Sequence, residues 1–434
     1  MIDKVVVPCT RVEGSGNLII YLKNDEIYQT ELNFSVFRGF ENILVGKKLL
    51  DIPKIVSRIC GLCYASQTIA SCKAIEDIYG IEPSHKSILL RRLLLSGELI
   101  KSHMMHYFFQ SFPDLLKIFK INNIINDPYN LINYNPQLTT NVFNLIKIGS
   151  EINKLIGGRV LHPITPIPGG LIFNPNRKSL IFIEKYLRKG IYYIESIIEN
   201  FIDLFSAFDP PTEFNLSNPI FFGLKNNMGF DRYEGDLRIE QNETTYDDFQ
   251  AKNYSKYFDK NPNLYGIMFK SNSKNNILTG PIARYKLTQN YGIDKISEYI
   301  SNFGKKWKSN LLFLNFLQLI ESYYEIQKSV EILNTTSLKS KTKLEHLNSI
   351  KKSNGIGVIE APRGVLMHHY HLNKAKIVDQ VKLFIATEIN LPILNKMITE
   401  YAKKLYEKED IDSVKEKTQI MIRAFDPCIS CASH

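Results

Sequence analysis

The chain has 434 residues, of which 44% are hydrophobic and 23% charged, with 23 glycines and 18 prolines. This composition excludes a disordered, collagenous or disulfide-stapled protein and allows a large buried core. The net charge of +10 is no nucleic-acid signal: its lysines fall in scattered pairs such as Lys47-Lys48 and Lys403-Lys404, and the richest stretch, Lys339 to Lys352, also carries Glu345. No apolar run reaches the ~18 residues of a membrane span, and Met1 to Val7 is too short and too charged for a secretory signal. A soluble chain without a span of its own is expected.

In chain order, Val5 to Pro8, Gly16 to Leu22 and Gln29 to Phe37 alternate apolar and polar residues around the turn pair Asn24-Asp25 and predict strands. From about Pro53 the period becomes helical. Helices are expected over Ala65 to Tyr79, Ser84 to His106 with Ser84 as N-cap, Pro113 to Lys120, Gln137 to Ile156, Arg177 to Phe208, Lys295 to Leu333 and Leu391 to Lys408. Proline and glycine punctuate Gly157 to Gly170. The polar, aromatic stretch 209–291 reads as a β-rich insertion. The fold class is therefore α+β, a long-helix core with small peripheral sheets, in a single domain over 1–434 with a β-rich segment at 1–40.

Six cysteines are too few for a disulfide framework in a chain of this length, and four of them form two C-x-x-C pairs, Cys60/Cys63 and Cys428/Cys431. Four thiolates can make an S4 site for zinc, iron or an iron–sulfur centre, or act as redox dithiols. Zinc ribbons put ~12–20 residues between their pairs, whereas here almost the whole chain intervenes, so such a site would join the two chain ends. Cys9 and Cys72 read as packed thiols.

The residues around these pairs, Arg58-x-Cys60-Gly61-x-Cys63 and Asp426-Pro427-Cys428-x-x-Cys431-x-x-His434, resemble those of the large, catalytic subunit of [NiFe] hydrogenases. The resemblance continues in order through Thr10-Arg11-Val12-Glu13-Gly14, Phe37-Arg38-Gly39-Phe40-Glu41, Ser102-His103-x-x-His106 with Pro113-Asp114, His162-Pro163, Pro168-Gly169-Gly170 and Glu360-Ala361-Pro362-Arg363-Gly364. It implies the hydrogenase large-subunit fold and reversible heterolytic cleavage of H2 to protons and electrons at a Ni–Fe(CO)(CN)2 centre. Cys60 and Cys428 would be terminal nickel ligands, and Cys63 and Cys431 would bridge nickel to iron. Arg363, with Asp114 and Asp426, would form a polar canopy. Cys428 or Arg363 would act as base and Glu13 would relay the proton. Pro362, Thr387 and Gln67 would line the iron ligands and the bridging sulfur. Glu41, the carbonyl near Leu383 and His434 would hold Mg2+ or another divalent ion.

With no cysteines left for an electron chain, the resemblance requires an iron–sulfur small subunit, to which further flavin or iron–sulfur subunits can be added, and a cytoplasmic location is expected, with membrane association only through such partners. Most relatives have His where this chain has Gln67, whose amide can donate to sulfur but cannot titrate. The subgroup stays open between cytoplasmic methanogen-type or bidirectional enzymes and uptake or H2-sensing branches. The alternatives are an H2 sensor, a relative of the respiratory complex I quinone-site subunit, against which the four intact cysteines argue, and a structural zinc protein. His103 and His106 share a helix face. His368, His369 and His371 resemble a metal cluster, but strand alternation sets His369 opposite its two neighbours.

Overall fold

The computed structural model describes residues 2–34, 39–121, 128–226, 229–242, 245–260, 267–270, 276–288, 291–335, 338 and 344–433. The N-terminal strands Ile2–Pro8, Gly16–Lys23 and Glu26–Phe34 form an antiparallel meander. Its tight turn places Asn24 and Asp25 at φ 53° and 60°, the left-handed pair that matches strand twist. Alternation buries Gly16, Leu18 and Ile20 on one face. The meander is tied to the Ala386–Tyr406 helix by Thr30 N–H donating to Thr399 Oγ1 at 3.0 Å and Leu32 N–H to Asn395 Oδ1 at 2.8 Å.

The core is built from the helices Tyr64–Tyr79, His85–Met105, Pro136–Gly157, Arg177–Phe205 and Phe313–Asn334. Ser84 and Asn135 cap two of them, accepting from the N–H groups of Ser87 and Leu138. The Tyr64–Tyr79 helix is buried on nearly all sides. The strand Asn354–Ala361 covers one flank, the first of a three-stranded antiparallel sheet continued by Gly364–Leu372 and Val378–Phe384. The His85–Met105 helix lies against another flank. This clamped helix is the floor of the site.

The expected helix over Lys295 to Leu333 is instead three, Asp294–Ser301, Lys305–Lys308 and Phe313–Asn334. The buried Asn310 breaks it. Its amide donates to Pro211 O and its Oδ1 accepts from Leu312 N–H, side-chain bonds that compete with the helical ladder. The stretch 209–291 does contain strands, in a four-stranded sheet ordered Ile277–Leu278, Ile220–Lys225, Asp236–Asn242, Thr245–Phe249 and a two-stranded one, over a small core of Phe222, Phe258 and Phe269. It also holds the unexpected helix Pro281–Thr288. A further helix, Ile411–Ala424, capped by Asp410, precedes the C-terminal cysteines.

Candidate metal centre

Cys60 and Cys63 lie in the turn that enters the Tyr64–Tyr79 helix. The Cys60 sulfur accepts from the backbone N–H of Leu62 at 3.2 Å and of Cys63 at 3.4 Å, the geometry a thiolate prefers. Cys63 is the N-cap of the helix, yet its side chain makes no capping bond. That role falls to Glu98, fully buried on the neighbouring helix, whose carboxylate accepts from the N–H groups of Ala65 and Ser66 and from Ser66 Oγ. The Cys63 thiol is thus left for other work.

Cys428 is the N-cap of the four-residue helix Ile429–Ala432 and Cys431 lies within it, and both are held by the N-terminal segment. Ile429 N–H donates to Glu13 O at 3.0 Å and Ser430 N–H to Glu13 Oε2 at 3.1 Å. Gly14, at φ +88°, permits this approach, since a Cβ there would come within 2.5 Å of Ser430 N. Cys428 N–H donates to Thr387 Oγ1 at 2.9 Å.

The four sulfurs, drawn from both ends of the chain, converge within 4.8 Å of one another. Cys60 Sγ is 3.3 Å from Cys428 Sγ, and Cys63 Sγ is 2.7 Å from Cys431 Sγ. All four are buried. Burial pushes the thiols of Cys63, Cys428 and Cys431 up, the last to about 11. At Cys60 the same desolvation is outweighed by hydrogen bonds from the other three thiols and by the Arg363 guanidinium, so its thiol is held well below the usual range. Four sulfurs this close and this dry cannot all ionise without a cation among them, and a soft-metal centre fits the donor set.

Around the sulfurs, Glu13 Oε2 accepts from Cys428 Sγ at 3.0 Å, and its carboxyl is raised by burial and by the Cys60 charge. Arg363 donates through Nε to Asp426 O at 2.8 Å, through Nη2 to Asp426 Oδ1 at 2.6 Å and through Nη1 to Ser102 Oγ at 3.1 Å. Gln318 carries Asp426 onward, its Nε2 donating to Asp426 Oδ2 at 2.9 Å and its Oε1 facing His106 Nδ1 at 2.7 Å. Gln67 directs Nε2 at Cys431 Sγ across 3.9 Å, while its Oε1 is 2.7 Å from His368 Nε2. His368 in turn faces Tyr370 Oη, so a titratable ring stands one residue behind the amide.

Other expected members lie elsewhere. Asp114 is bound by Arg11 at 2.5 Å and by Arg423 at 2.5 and 3.1 Å rather than by Arg363. The reason is tertiary: two guanidinium groups distant in the sequence, Arg11 and Arg423, are folded onto it. His369 faces Tyr254 Oη and His371 faces Asp379, so the three strand histidines do not converge, and the residues two apart, His369 and His371, are the pair that alternation puts on one face. His103 pairs with Glu321. Cys9 and Cys72 are thiols raised by burial to about 11 and 12, apart from the cluster. Glu41 Oε1 accepts from Leu383 N–H at 2.6 Å and faces Lys260 Nζ at 3.2 Å, which also reaches Glu388 at 3.1 Å. His434, Phe37 and Arg38 lie outside the described residues.

Sequence reasoning missed Glu98, Gln318, Glu321 and Arg284. The available signal was a lone charged or amide side chain inside an otherwise apolar helical run, as in Leu93-Leu94-Leu95-Ser96-Gly97-Glu98-Leu99-Ile100.

The family model for nickel-dependent hydrogenases matches residues 38–188 and 232–434. The sulfhydrogenase 2 alpha subunit of Pyrococcus furiosus is 27% identical, over 98% of this chain and 97% of its own length. The beta subunit of the NAD-reducing hydrogenase HoxS of Cupriavidus necator is 26% identical, over 99% and 94%. A solved NAD+-reducing [NiFe]-hydrogenase in the H2-reduced state shares the fold at TM-score 0.91 and 24% identity, with 100% of this chain and 99% of that one covered. No helix of the described residues is long and apolar enough to cross a membrane. With its four converging cysteines and most of its length inside that family model, the chain belongs to the nickel-dependent hydrogenases, as a catalytic large subunit acting on H2.

Proposed function

We propose that Cys60, Cys63, Cys428 and Cys431 hold a nickel–iron centre whose iron carries one CO and two cyanides. Cys60 and Cys428 would hold the nickel as terminal ligands, and Cys63 and Cys431 would be shared between nickel and iron. The pairing of the sulfurs, Cys60 with Cys428 and Cys63 with Cys431, is the observation that carries this reading. When bound, the centre supplies soft, polarising metals at which H2 splits heterolytically.

The chain's own residues manage the proton. Cys428 Sγ hands it to Glu13 Oε2, with which it is already in contact, and Glu13, its carboxyl raised by burial and by the Cys60 charge, passes it outward. Arg363 stands over the site as a fixed positive charge, its donors directed by Asp426 and Ser102. Asp114 is linked to the canopy through Arg423, which it holds and whose backbone oxygen accepts from Asp426 N–H at 3.0 Å. Thr387 accepts from Cys428 N–H, which would leave its own hydroxyl hydrogen for a cyanide, and Pro362, the neighbour of Arg363 in the chain, would line the iron ligands. Gln67 donates to the bridging Cys431. Glu41 with the carbonyl near Leu383 and His434 would hold a divalent ion such as Mg2+. The carboxylate pair of Glu41 and Glu388, now bridged by Lys260, is a hard oxygen set of the right kind.

Electrons leave to an iron–sulfur small subunit, and beyond it to further carrier subunits, in a cytoplasmic complex. A docking face is at hand beside the Cys60 turn. His162 Nδ1 lies 2.6 Å from Ser57 O, and its loop exposes Val160, Leu161 and Ile164. Anaerobic purification of the complex with metal analysis and H2-dependent dye reduction tests the reading. Equal nickel and iron on this chain, further iron on a co-purifying partner and dye reduction are expected. Zinc with no dye reduction would overturn it.

A further inference from the structure

Arg284 lies on the Pro281–Thr288 helix and is 2% exposed. A guanidinium has five N–H donors and no acceptor, so burying one demands acceptors all round. Here the set is complete. Nε and Nη2 grip Glu321 in a fork at 2.7 and 2.7 Å, and Nη1 reaches Glu360 Oε2 at 2.9 Å. The two remaining donors go to backbone carbonyls, Nη1 to Ala361 O at 3.1 Å and Nη2 to Pro362 O at 2.8 Å. Those carbonyls belong to the turn between the strands Asn354–Ala361 and Gly364–Leu372, and the next residue in it is Arg363.

The opposite side of the turn is also fixed. A Cβ on Gly280, at φ +106°, would come within 2.6 Å of Arg363 O, and Val365 N–H donates to Thr279 Oγ1 at 3.0 Å. The turn is thus held between the Thr279 hydroxyl with the close-packed Gly280 and a saturated guanidinium. From these contacts we infer that Arg284 is a positioning residue for the reaction. It touches neither the sulfurs nor Arg363's side chain, but it fixes the two consecutive peptide groups that lead into Arg363. Glu321 and Glu360 hold Arg284, and Leu224 N–H holds Glu360 Oε1 at 2.8 Å, so the clamp is anchored in the core and in the β-rich insertion together. This gives that insertion, otherwise remote from the chemistry, a part in the site.

The inference rests on the reading of Arg363 as the charged group of the site, and a double-mutant cycle in the nickel-loaded complex separates the two. Arg284→Lys keeps the charge but offers three donors on one atom, too few for five acceptors. It is expected to retain nickel and the KM for H2 while kcat falls about 100-fold, the scale of an ångström-level misplacement. In an Arg363→Lys background the same change should cost less than about twofold, because both act through one side chain.

Amide hydrogen exchange in peptides covering 361–366 should quicken in Arg284→Lys without a matching change over 64–79. If Arg284→Lys does not accumulate, Glu360→Gln, which keeps shape and removes one anchor, carries the same cycle with the same expected sign. Wild-type kcat in Arg284→Lys, or losses that multiply in the double variant, would overturn the clamp. Unchanged turnover in Arg363→Lys alone would overturn the reading of Arg363 instead.

Discussion

The two C-x-x-C pairs share a spacing and little else. Cys60 and Cys63 enter a sixteen-residue helix buried on nearly every side, with Glu98 supplying the cap. Cys428 and Cys431 sit on a four-residue helix that could not persist alone, at the end of the chain, and are kept in place by side-chain latches from Glu13 and Thr387. One half of the site is built into the core, and the other is closed onto it. Such a division lets a metal be enclosed between a rigid floor and a segment that docks over it.

The largest effect should come from removing a sulfur, which breaks both halves equally. Cys63→Ala and Cys431→Ala are each expected to abolish nickel retention and dye reduction, measured by metal analysis of the purified complex. If one of them kept its nickel, the two pairs would not form one site. Cutting the latch while sparing the metal comes next. Glu13→Gln should keep nickel, since the amide can still meet Ser430 N–H, but slow turnover about 10²- to 10³-fold by removing the proton acceptor. A solvent isotope effect that grows in the variant would mark proton transfer as the step slowed.

A smaller change is expected on the rigid side. Glu98→Ala leaves the Ala65 and Ser66 N–H groups without a partner in the core and should cost about 1–3 kcal/mol in urea denaturation. The pH dependence has a definite sign. Burial pushes the Glu98 carboxyl up from 4.5 to about 7 against the lowering pull of Ser66 and Ala65. A carboxyl raised in the folded state binds more protons than in the unfolded chain. Its contribution is therefore complete below about pH 4.5 and is lost as the pH rises through 7. Glu98→Gln should flatten that part of the stability profile, and an unchanged slope would reassign the charge. Smallest of all, Thr387→Val removes one acceptor from Cys428 N–H, with a cost of about 1 kcal/mol and nickel retained.

Legibility in the sequence followed the same division. Cysteines, Glu13 and the Ala361-Pro362-Arg363 turn could be read because their chemistry is written in short contiguous motifs. Periodicity found the long helices but not the break at Asn310, which depends on an acceptor at Pro211 far back in the chain. The supporting groups were out of reach for the same reason. Glu98 meets its partners 32 and 33 residues away, and Arg284 meets Glu360 76 residues on. A lone charge in an apolar run, such as Glu98 within Leu93 to Ile100, marks burial locally, but only the fold supplies its counterpart. Asp114 shows the limit from the other side: its motif was visible, but its choice of Arg423 and Arg11 over Arg363 was set by tertiary approach.

The central claim, that four thiolates from the two ends of one chain enclose a nickel–iron centre, is tested most directly by an infrared spectrum of the anaerobically purified complex in the triple-bond stretching window. One CO band and two cyanide bands, absent from the Cys63→Ala complex, are the predicted result. A wild-type complex carrying metal on all four sulfurs but showing none of the three bands would contradict it.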